Sequence, residues 1–292
     1  MQIIDGRKLS REILEEVKRE IATLPFVPVF CDVLVGSDSA SIQYVGMKAR
    51  AAERLGMKFY SADFPDSISE ESLIEEIKKI ELVPNICGII VQLPLPPKFI
   101  DKKIILDAVP ENLDVDCLGH LASDRFYKGE NDIGFPTALA CMAILDSLNL
   151  DLTNKNVVVL GQGDLVGKPV TALLRFRGLN PTVITRKTPA RDAYGMAVAG
   201  GEDKEKLMKE ADVIISGIGH GKHITGEMIK EGVVLIDAGT SESKGGIVGD
   251  VDLESVKDVA SFVSPVPGGV GPVTVAMLLK NVLTVAQSRP HP

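Results

Sequence analysis

The chain has 292 residues, of which 45% are hydrophobic and 25% charged, and its formal net charge is −8. This length suits two ordinary domains, and the apolar content is sufficient for full hydrophobic cores. The net negative charge argues against non-specific binding to nucleic acid and against docking on anionic membranes, although it is compatible with a locally basic site.

The four cysteines are scattered without a CxxC pair, and the chain contains only four histidines. Zinc-type ligand spacing is therefore absent, and no metal site is predicted. The N-terminal residues lack the basic and apolar regions of a signal peptide, and no apolar run approaches 18 residues. We expect a cytoplasmic protein in a reducing compartment, with no membrane-spanning helix.

Apolar runs alternate with amphipathic helical patterns, which indicates an α/β protein with a mostly parallel sheet. In the first half the predicted elements are a strand at 27–35, a helix at 40–55, a strand at 58–62, a helix at 69–80, a strand at 86–91 and a helix at 137–148. In the second half they are a strand at 156–160, a helix at 165–176, a strand at 182–185, a helix at 203–210, strands at 213–216 and 233–237, and a helix from 273. The polar segment 187–201 is predicted to be a loop.

We predict two domains. The first is an α/β substrate-binding and catalytic domain made of residues 1–148, to which the C-terminal helix, 273–292, returns. The second, residues 149–272, is a Rossmann-type NAD(P)-binding domain. A ligand cleft between the two is the default expectation for such an arrangement.

A glycine-rich turn supports the dinucleotide assignment. The predicted strand 156–160 runs directly into Gly161-Gln-Gly-Asp-Leu-Val-Gly167, and a helix follows. Gly161 suits the tight turn, Gly163 the approach of a pyrophosphate to the backbone, and Gly167 the close packing of helix on strand. The next strand ends at Arg186 and Lys187. Positive charge there favours the 2′-phosphate of NADP, with NAD as the alternative, and a solvated basic turn is the non-functional interpretation.

The helix at 40–55 carries Ser41, Tyr44 and Lys48 at spacings of three and four, which places them on one helical face. A partly buried lysine beside a tyrosine can transfer protons, and the tyrosine ring can stack on a flat ligand. A plain surface stripe is the alternative. Gln92 ends the buried strand 86–91 and is placed to contact Lys48. Asp114 and Asp116 offer carboxylates in a loop, and a solvated loop without a function is the alternative.

Residues 265–272 read Pro-Val-Pro-Gly-Gly-Val-Gly-Pro, a sequence that excludes helix and central strand. Pro272 suits the first turn of the helix that follows. One interpretation is a stiff connection between domains, and another is a loop that offers backbone N–H groups to a ligand. We expect both, because the chain crosses between the predicted domains here.

Taken together these segments resemble the bifunctional methylenetetrahydrofolate dehydrogenase/methenyltetrahydrofolate cyclohydrolase family over nearly the whole chain. The ordered set that carries the resemblance is 41–48, 88–96, 114–116, 161–169, 249–251 and 265–272. The resemblance implies NADP-dependent oxidation of 5,10-methylenetetrahydrofolate to the methenyl form and its hydrolysis to 10-formyltetrahydrofolate. It also implies a homodimer.

The resemblance also implies residue roles. Lys48 resembles the family's catalytic lysine, Gln92 the glutamine that tunes it, and Asp116 the acid that grips the pterin. Substrate-binding positions are Ser41, Tyr44, Pro267, Gly268 and Gly269. Cofactor-binding positions are Gly161, Gln162, Gly163, Gly167, Arg186 and Thr240.

The sequence departs from the family at four positions near the expected folate pocket: Leu113 replaces a lysine, Cys117 a glycine, and Phe135 and Ala138 alter a Pro-Cys-Thr-Pro segment. We expect the first pair to change the shape of the loop. Gln162 is expected to weaken one contact with the 2′-phosphate. Two alternatives stay open: an enzyme with only one of the two activities, and a catalytically silent dinucleotide-binding regulator.

Overall fold

The structure is a computed structural model that describes residues 1–185, 203–243 and 246–289. Its contacts divide the chain into two compact units. The first unit consists of Glu12–Pro136 and Val275–Pro292, and the second consists of Met1–Arg11 and Thr137–Thr274.

A three-stranded parallel sheet forms the centre of the first unit. Its strands are β2 (Val29–Val35), β3 (Lys58–Phe64) and β4 (Ile86–Val91), in the order β3-β2-β4. Every residue of β2 and β4 is buried. The continuous apolar runs predicted from the sequence are therefore strands covered on both faces, as parallel sheets require.

Helices precede, connect and follow these strands, and the first of them begins in residues of the second unit. They are α1 (Gly6–Ile21), α2 (Ser39–Leu55), α3 (Glu70–Ile80), α4 (Lys102–Leu106) and α5 (His120–Lys128). The Asp38 side chain accepts a hydrogen bond from the Ser41 N–H and begins α2, which ends at Gly56 with φ 91°. Ser69 caps α3 in the same way. Local capping chemistry thus sets the bounds of the helix that carries Lys48.

The C-terminal helix α10 (Val270–Ser288) belongs to the first unit from Val275 onward, which confirms that it packs on the strands of the first half. Among the described residues it is the one helix long and apolar enough to cross a membrane by length and composition. Its apolar residues are largely buried, and the Asn281 amide nitrogen donates to the carbonyl oxygens of Val115 (2.8 Å) and Gly134 (2.7 Å). These contacts account for its composition as that of a core helix.

The second unit contains a six-stranded parallel sheet in the order β1-β11-β8-β7-β5-β6. Its strands are β1 (Gln2–Ile3), β5 (Val157–Leu160), β6 (Thr182–Ile184), β7 (Val213–Ser216), β8 (Val234–Asp237) and β11 (Phe262–Val263). The chain runs from β5 to β6 on one side and then to β7 on the other. Strand order therefore reverses at β5, and such a switch point is where open α/β sheets bind ligands.

The remaining elements of the second unit flank this sheet. They are α6 (Pro136–Ser147), α7 (Gly167–Phe176), α8 (Asp203–Glu210), a 3-10 helix (Gly226–Met228), the hairpin strands β9 (Ser241–Ser243) and β10 (Gly246–Val248), and α9 (Leu253–Val256). The predicted α/β class with parallel sheets is confirmed, and the predicted elements end within a residue or two of the observed ones. Helix α10 is the exception, because it begins at Val270 and so includes the last part of the Pro/Gly segment.

The domain bounds differ from the prediction in two ways. Residues 1–11 belong to the second unit, because β1 pairs with β11 at the edge of its sheet. Helix α6 also belongs there, so the division falls at 136/137 and 274/275 rather than at 148/149 and 272/273. A two-residue edge strand has no sequence period, and the uniformly apolar α6 gives no sign of which unit it packs in. The predicted loop 187–201 lies outside the described residues.

The buried Asn281 amide gives a first prediction. Asn281→Leu removes both donors and leaves the carbonyls of Val115 and Gly134 unpaired, at a cost of about 1–3 kcal/mol for each. We expect a lower thermal midpoint by circular dichroism. Thr284→Ala, a partly exposed change on the same helix, serves as the control and should alter stability by less than about 0.5 kcal/mol. An unchanged midpoint in Asn281→Leu would contradict the assigned role.

Candidate functional site

The first unit buries a lysine among polar partners. Lys48 lies on α2 with 2% of its surface exposed. Its Nζ lies 2.7 Å from Gln92 Oε1 and 2.6 Å from Asp32 Oδ2. Gln92 follows β4, and its backbone N–H donates to Val33 O on β2, so the sheet holds the glutamine in place. The predicted contact between Lys48 and Gln92 is present.

Tyr44 lies one helical turn before Lys48 on the same face of α2. The Lys48 Nζ is 5.6 Å from the centre of the Tyr44 ring, and 41% of the tyrosine surface is exposed. Ser41, one further turn back, is buried, and its backbone N–H is used by the Asp38 cap. The three predicted residues of α2 therefore share one face, with an accessible aromatic ring beside a buried ammonium group.

A loop after α4 brings two carboxyl groups to this region. Asp114 forms a parallel bridge with Ile89 of β4, and its Oδ2 accepts the Gly119 N–H at 2.7 Å. Burial raises the pKa of Asp114 to about 6, and hydrogen bonds from the loop backbone oppose that shift. Burial also raises the pKa of Asp116 to about 7, with Asp114 and Asp32 adding to the shift and Lys48 opposing it. Part of the Asp116 side chain remains accessible to solvent, which moderates the effect of burial.

Asp32 was not among the residues predicted from the sequence. It lies within the buried strand β2, is fully buried, and pairs with Lys48. Burial raises the pKa of Asp32 and the charge of Lys48 lowers it. A single charged residue inside an otherwise apolar strand is the signal that could have found it, because a buried charge requires a partner.

This arrangement suits proton transfer on a flat, polar ligand. One ammonium group and the carboxyl groups of Asp32, Asp114 and Asp116 interact in one region. Two of those carboxyl pKa values lie near neutral pH, which is the range where an acid or base acts most effectively. The exposed face of Tyr44 offers a stacking surface next to them.

The four departures from the family pattern fit the structure. Leu113 is buried in the core of the first unit. Cys117 has φ 61°, the left-handed region that favours glycine, and its buried Sγ lies 3.4 Å from Ala122 O. Cys117 therefore adopts a backbone conformation that glycine would also adopt at this position. Phe135 packs edge-on against Phe126, with ring centres 5.0 Å apart, and Ala138 is buried in α6.

In the second unit the glycine-rich turn has the predicted steric demands. Gly161 has φ 93°, and a Cβ there would lie 2.9 Å from Gly217 O. A Cβ on Gly167 would lie 2.1 Å from Gly161 O, so the turn and the start of α7 are in backbone contact. A Cβ on Gly163 would meet no described atom within 4 Å, which leaves open space beside this glycine. The amide nitrogen of Gln162 instead donates back to Gly161 O (3.0 Å) and to Thr171 Oγ1 (3.1 Å).

Two buried carboxylates organise the ends of β7 and β8. Asp250 accepts from Ser216 Oγ (2.6 Å), Ile218 N (2.9 Å) and His220 N (2.8 Å). Asp237 accepts from the backbone N–H groups of Gly239, Asp250 and Val251. Burial raises the pKa of Asp237 to about 6.

Glycines make this arrangement of carboxylates sterically feasible. A Cβ on Gly239 would lie 2.0 Å from the Asp250 carboxyl carbon, and one on Gly249 would lie 2.1 Å from Asp237 Oδ2. The Asp250 carboxylate thus fills the space beside Gly239, and the Asp237 carboxylate fills the space beside Gly249. The Gly249-Asp-Val251 segment is explained by this packing. Thr240, the predicted cofactor contact, is exposed directly after Gly239.

The Pro/Gly segment is fixed to the N-terminal residues of the same unit. Gly268 has φ 107°, and the Gly269 N–H donates to Pro265 O at 2.7 Å. A Cβ on Gly6 would lie 1.9 Å from Gly269 O, and Ser10 Oγ donates to Pro272 O at 2.8 Å. The peptide bond before Pro267 is cis. The loop that holds the predicted substrate positions 267–269 is therefore closely packed on residues that the sequence analysis had placed in the other domain.

The predicted residues thus fall into two groups. Those of the first unit come together around Lys48, and those of the second lie at the carboxyl ends of its parallel strands or in the Pro/Gly segment. Arg186 lies outside the described residues. A dinucleotide-binding turn at a sheet switch point, together with a buried lysine site, defines a two-domain dinucleotide-dependent enzyme.

Comparison with known families identifies the kind of enzyme. Residues 4–116 match the model of the tetrahydrofolate dehydrogenase/cyclohydrolase catalytic domain. Residues 136–290 match the model of the NAD(P)-binding domain of the same family. The chain belongs to the tetrahydrofolate dehydrogenase/cyclohydrolase family. It has an NAD(P)-binding domain and is a bifunctional folate enzyme, both an oxidoreductase and a hydrolase.

Individual relatives agree over the full length. The chain is 40% identical to the bifunctional protein FolD of a Nitratiruptor species, covering 99% of each chain. It is similar to the crystal structure of the bifunctional FolD of Campylobacter jejuni, with a TM-score of 0.90, 33% identity, and 99% and 100% of the two chains covered. The Trypanosoma brucei enzyme, solved with NADP and an inhibitor, gives a TM-score of 0.87 at 33% identity, with 98% and 97% covered.

The raised pKa of Asp116 predicts how stability depends on pH. An unfolded aspartate titrates at about 3.9 and the folded one at about 7, so folding binds a proton between these values. The contribution of Asp116 to the free energy of unfolding is fully present below the unfolded pKa of about 3.9, and it is lost as the pH rises through the folded pKa of about 7. Asp116→Asn lacks this loss, and we expect its thermal midpoint to exceed that of the natural protein at pH 8 and to approach it at pH 4.

Asp132→Asn, which removes an exposed carboxyl of the same unit, is the control and should give no such pH-dependent difference. Equal midpoints for Asp116→Asn and the natural protein at pH 8 would show that Asp116 titrates like an exposed carboxyl.

Proposed function

We propose that the protein oxidises 5,10-methylenetetrahydrofolate with NADP⁺ and hydrolyses the resulting methenyl compound to 10-formyltetrahydrofolate. The observation that carries the proposal is the buried Lys48 ammonium held at Gln92, beside the exposed ring of Tyr44. The full-length similarity to bifunctional FolD proteins supports the assignment of both steps to one chain.

The oxidation step requires binding and orientation more than acid–base chemistry. A hydride leaves the methylene carbon with its electron pair and gives a methenyl cation, and NADP⁺, when bound, supplies the hydride acceptor. Positioning the two rings accounts for much of the rate of such a transfer. We assign the binding of the dinucleotide to the turn of Gly161, Gln162, Gly163 and Gly167 and to Thr240. The open space at Gly163 suits a pyrophosphate close to the backbone.

The hydrolysis step is where Lys48 acts. Water adds to the methenyl carbon and loses one proton to give a hydroxyl adduct. The hydroxyl then loses its second proton as the carbonyl forms and the bond from that carbon to N5 breaks, and N5 takes up a proton, so that one proton is released overall. Lys48 is assigned the transfer of protons in this sequence, and Gln92 fixes the position of its Nζ. The buried location supports this role, because it separates the lysine from bulk solvent.

Substrate binding is assigned to the residues that the resemblance to the family implies. Tyr44 stacks on the folate, Asp116 accepts N–H groups of the pterin, and Ser41 lies on the same face of α2 as Tyr44. The segment Pro267, Gly268 and Gly269 contributes backbone groups. The near-neutral pKa of Asp116 in the free protein would fall when it accepts charge-complementary donors.

The proposal also covers the cellular compartment and the oligomeric state of the enzyme. Four free, buried thiols suit a reducing compartment, and we propose that the enzyme acts in the cytoplasm. We also propose that it is a homodimer, as its resemblance to the family implies. The intact Lys48, Gln92 and Asp116 favour the bifunctional enzyme over a silent dinucleotide-binding regulator.

Lys48→Met tests the hydrolysis role. The variant matches the four-atom apolar stem of lysine but lacks the ammonium, and we expect methenyl hydrolysis to fall by about 100-fold or more. Formation of the methenyl compound with NADP⁺ should continue, because hydride transfer needs no proton from Lys48. Both steps are followed from the absorbance of the methenyl product.

Lys58→Met, at an exposed position of the same unit, is the control. Unchanged hydrolysis in Lys48→Met would contradict the assignment, and no turnover by the natural protein with either dinucleotide would favour the silent regulator.

Arg186→Ala tests the preference for NADP. The basic residue follows β6, where a 2′-phosphate is expected, and its loss should raise the KM for NADP⁺ about tenfold or more. The KM for NAD⁺, which lacks that phosphate, should change little. Arg177→Ala is a suitable control, because Arg177 is already paired with Asp146 in the same unit. An equal rise for both dinucleotides would place Arg186 outside the 2′-phosphate site.

A further inference from the structure

The Asp32 carboxylate has an unusual position for an acid. It lies in the middle of β2, where it pairs in register with Ser61 of β3 and Ile90 of β4, and no part of it is exposed. Its Oδ2 contacts Lys48 Nζ at 2.6 Å. Among the described residues neither carboxylate oxygen of Asp32 has a hydrogen-bond partner of good geometry, so the contact with Lys48 is an ion pair. Placing a charge here is costly, so its partner must account for its presence.

Gln92 and Asp32 make different contributions to Lys48. The glutamine oxygen accepts a hydrogen bond but carries no net charge, whereas the carboxylate supplies the charge opposite to the ammonium. Lysine has a flexible four-carbon stem with freely rotating donors, so one acceptor alone leaves its Nζ poorly fixed. The hydrogen bond to Gln92, which directly follows β4, and the ion pair with Asp32 on the neighbouring β2 together define one position for it.

We propose that Asp32 is a positioning residue for the hydrolysis step, which holds the Lys48 ammonium against Gln92 and makes the pair, rather than the lysine alone, set the pH range of hydrolysis. This inference rests on the proposed function, because it presumes that Lys48 serves methenyl hydrolysis. Asp32 does not touch the substrate. It lies within β2 and is fully buried.

Other titratable groups surround the pair and must be separated from it. Asp63 of β3 interacts electrostatically with Asp32 and is exposed. Asp116 interacts with both Lys48 and Asp32, and Asp114 acts on Asp116. The Cys31 thiol adjoins Asp32, and Tyr44 lies beside Lys48. Of these groups, Asp32 alone is both fully buried and in ion-pair contact with the lysine.

The test is the pH profile of methenyl hydrolysis in Asp32→Asn, a variant of the same shape without the charge. Removal of the negative charge disfavours the charged form of its neighbour, and we expect the limb of the profile that belongs to the pair to move to lower pH by roughly 1–3 units. The effect should appear in kcat, with KM for the methenyl compound changed less than about threefold, because Asp32 is fully buried and is assigned no contact with the substrate. Hydride transfer to NADP⁺ should remain within about threefold of the natural rate, since it involves no proton transfer.

Two further variants decide between positioning and general damage. Asp32→Glu restores the charge and should return the limb to its natural pH, even if its longer stem lowers kcat. Asp63→Asn removes the neighbouring exposed carboxylate that does not contact Lys48, and should leave the limb in place. Asp32→Ser replaces Asp32→Asn as the neutral variant if the latter does not fold, and the same displacement to lower pH is expected.

Several outcomes would overturn the inference. They are a folded neutral variant whose profile superimposes on the natural one, an equal displacement in Asp63→Asn, or a loss of hydride transfer parallel to that of hydrolysis. Absence of methenyl hydrolysis in the natural protein would instead refute the proposed function. This activity is therefore measured before any variant is made.

Discussion

The first unit is organised around the cost of burying one ammonium group. Lys48 is almost completely removed from water, and the free energy lost must be recovered from fixed polar partners. Asp32 comes from the centre of β2 and Gln92 from the end of β4, and each is held by parallel strand pairing. The sheet is therefore both the core of the unit and the support that places the lysine, so that its function depends on the same contacts as its stability.

The second unit also buries charged groups, but it stabilises them with hydrogen bonds rather than with an opposite charge. Asp237 and Asp250 are buried carboxylates that accept hydrogen bonds from backbone N–H groups and a serine hydroxyl, where Asp32 pairs with an ammonium group. This requires very close approach of the backbone, which Gly239 and Gly249 allow. The ends of β7 and β8 are thereby fixed next to the strand-order switch at β5. A stable dinucleotide site needs such preorganised strand ends, because loops ordered only on binding would reduce affinity.

The sequence predicted those features that have a period or a local chemical signature. The parallel strands, the helical face of Ser41, Tyr44 and Lys48, and the turn at Gly161 all belong to this class. Other features depend on contacts distant in sequence and were missed. Strand β1 pairs with β11 through backbone groups alone, and Gly6 packs on Gly269, neither of which leaves a pattern in the chain. The side-chain amide of Gln162 donates to Thr171, and the sequence alone does not indicate which of several acceptors it uses.

The acid loop shows how a site can tolerate changes in its own sequence. Its shape depends on backbone features: the bridge between Ile89 and Asp114, the Gly119 N–H donated to Asp114, and the left-handed conformation at Cys117. A non-glycine residue in that conformation costs roughly 1–2 kcal/mol, and burial of the cysteine side chain offsets part of it. Leu113 is likewise directed into the core, where a charged side chain would be unfavourable. The loop can thus exchange its flanking residues for apolar ones while Asp116 keeps its electrostatic coupling to Lys48 and Asp32, which is the property that the chemistry uses.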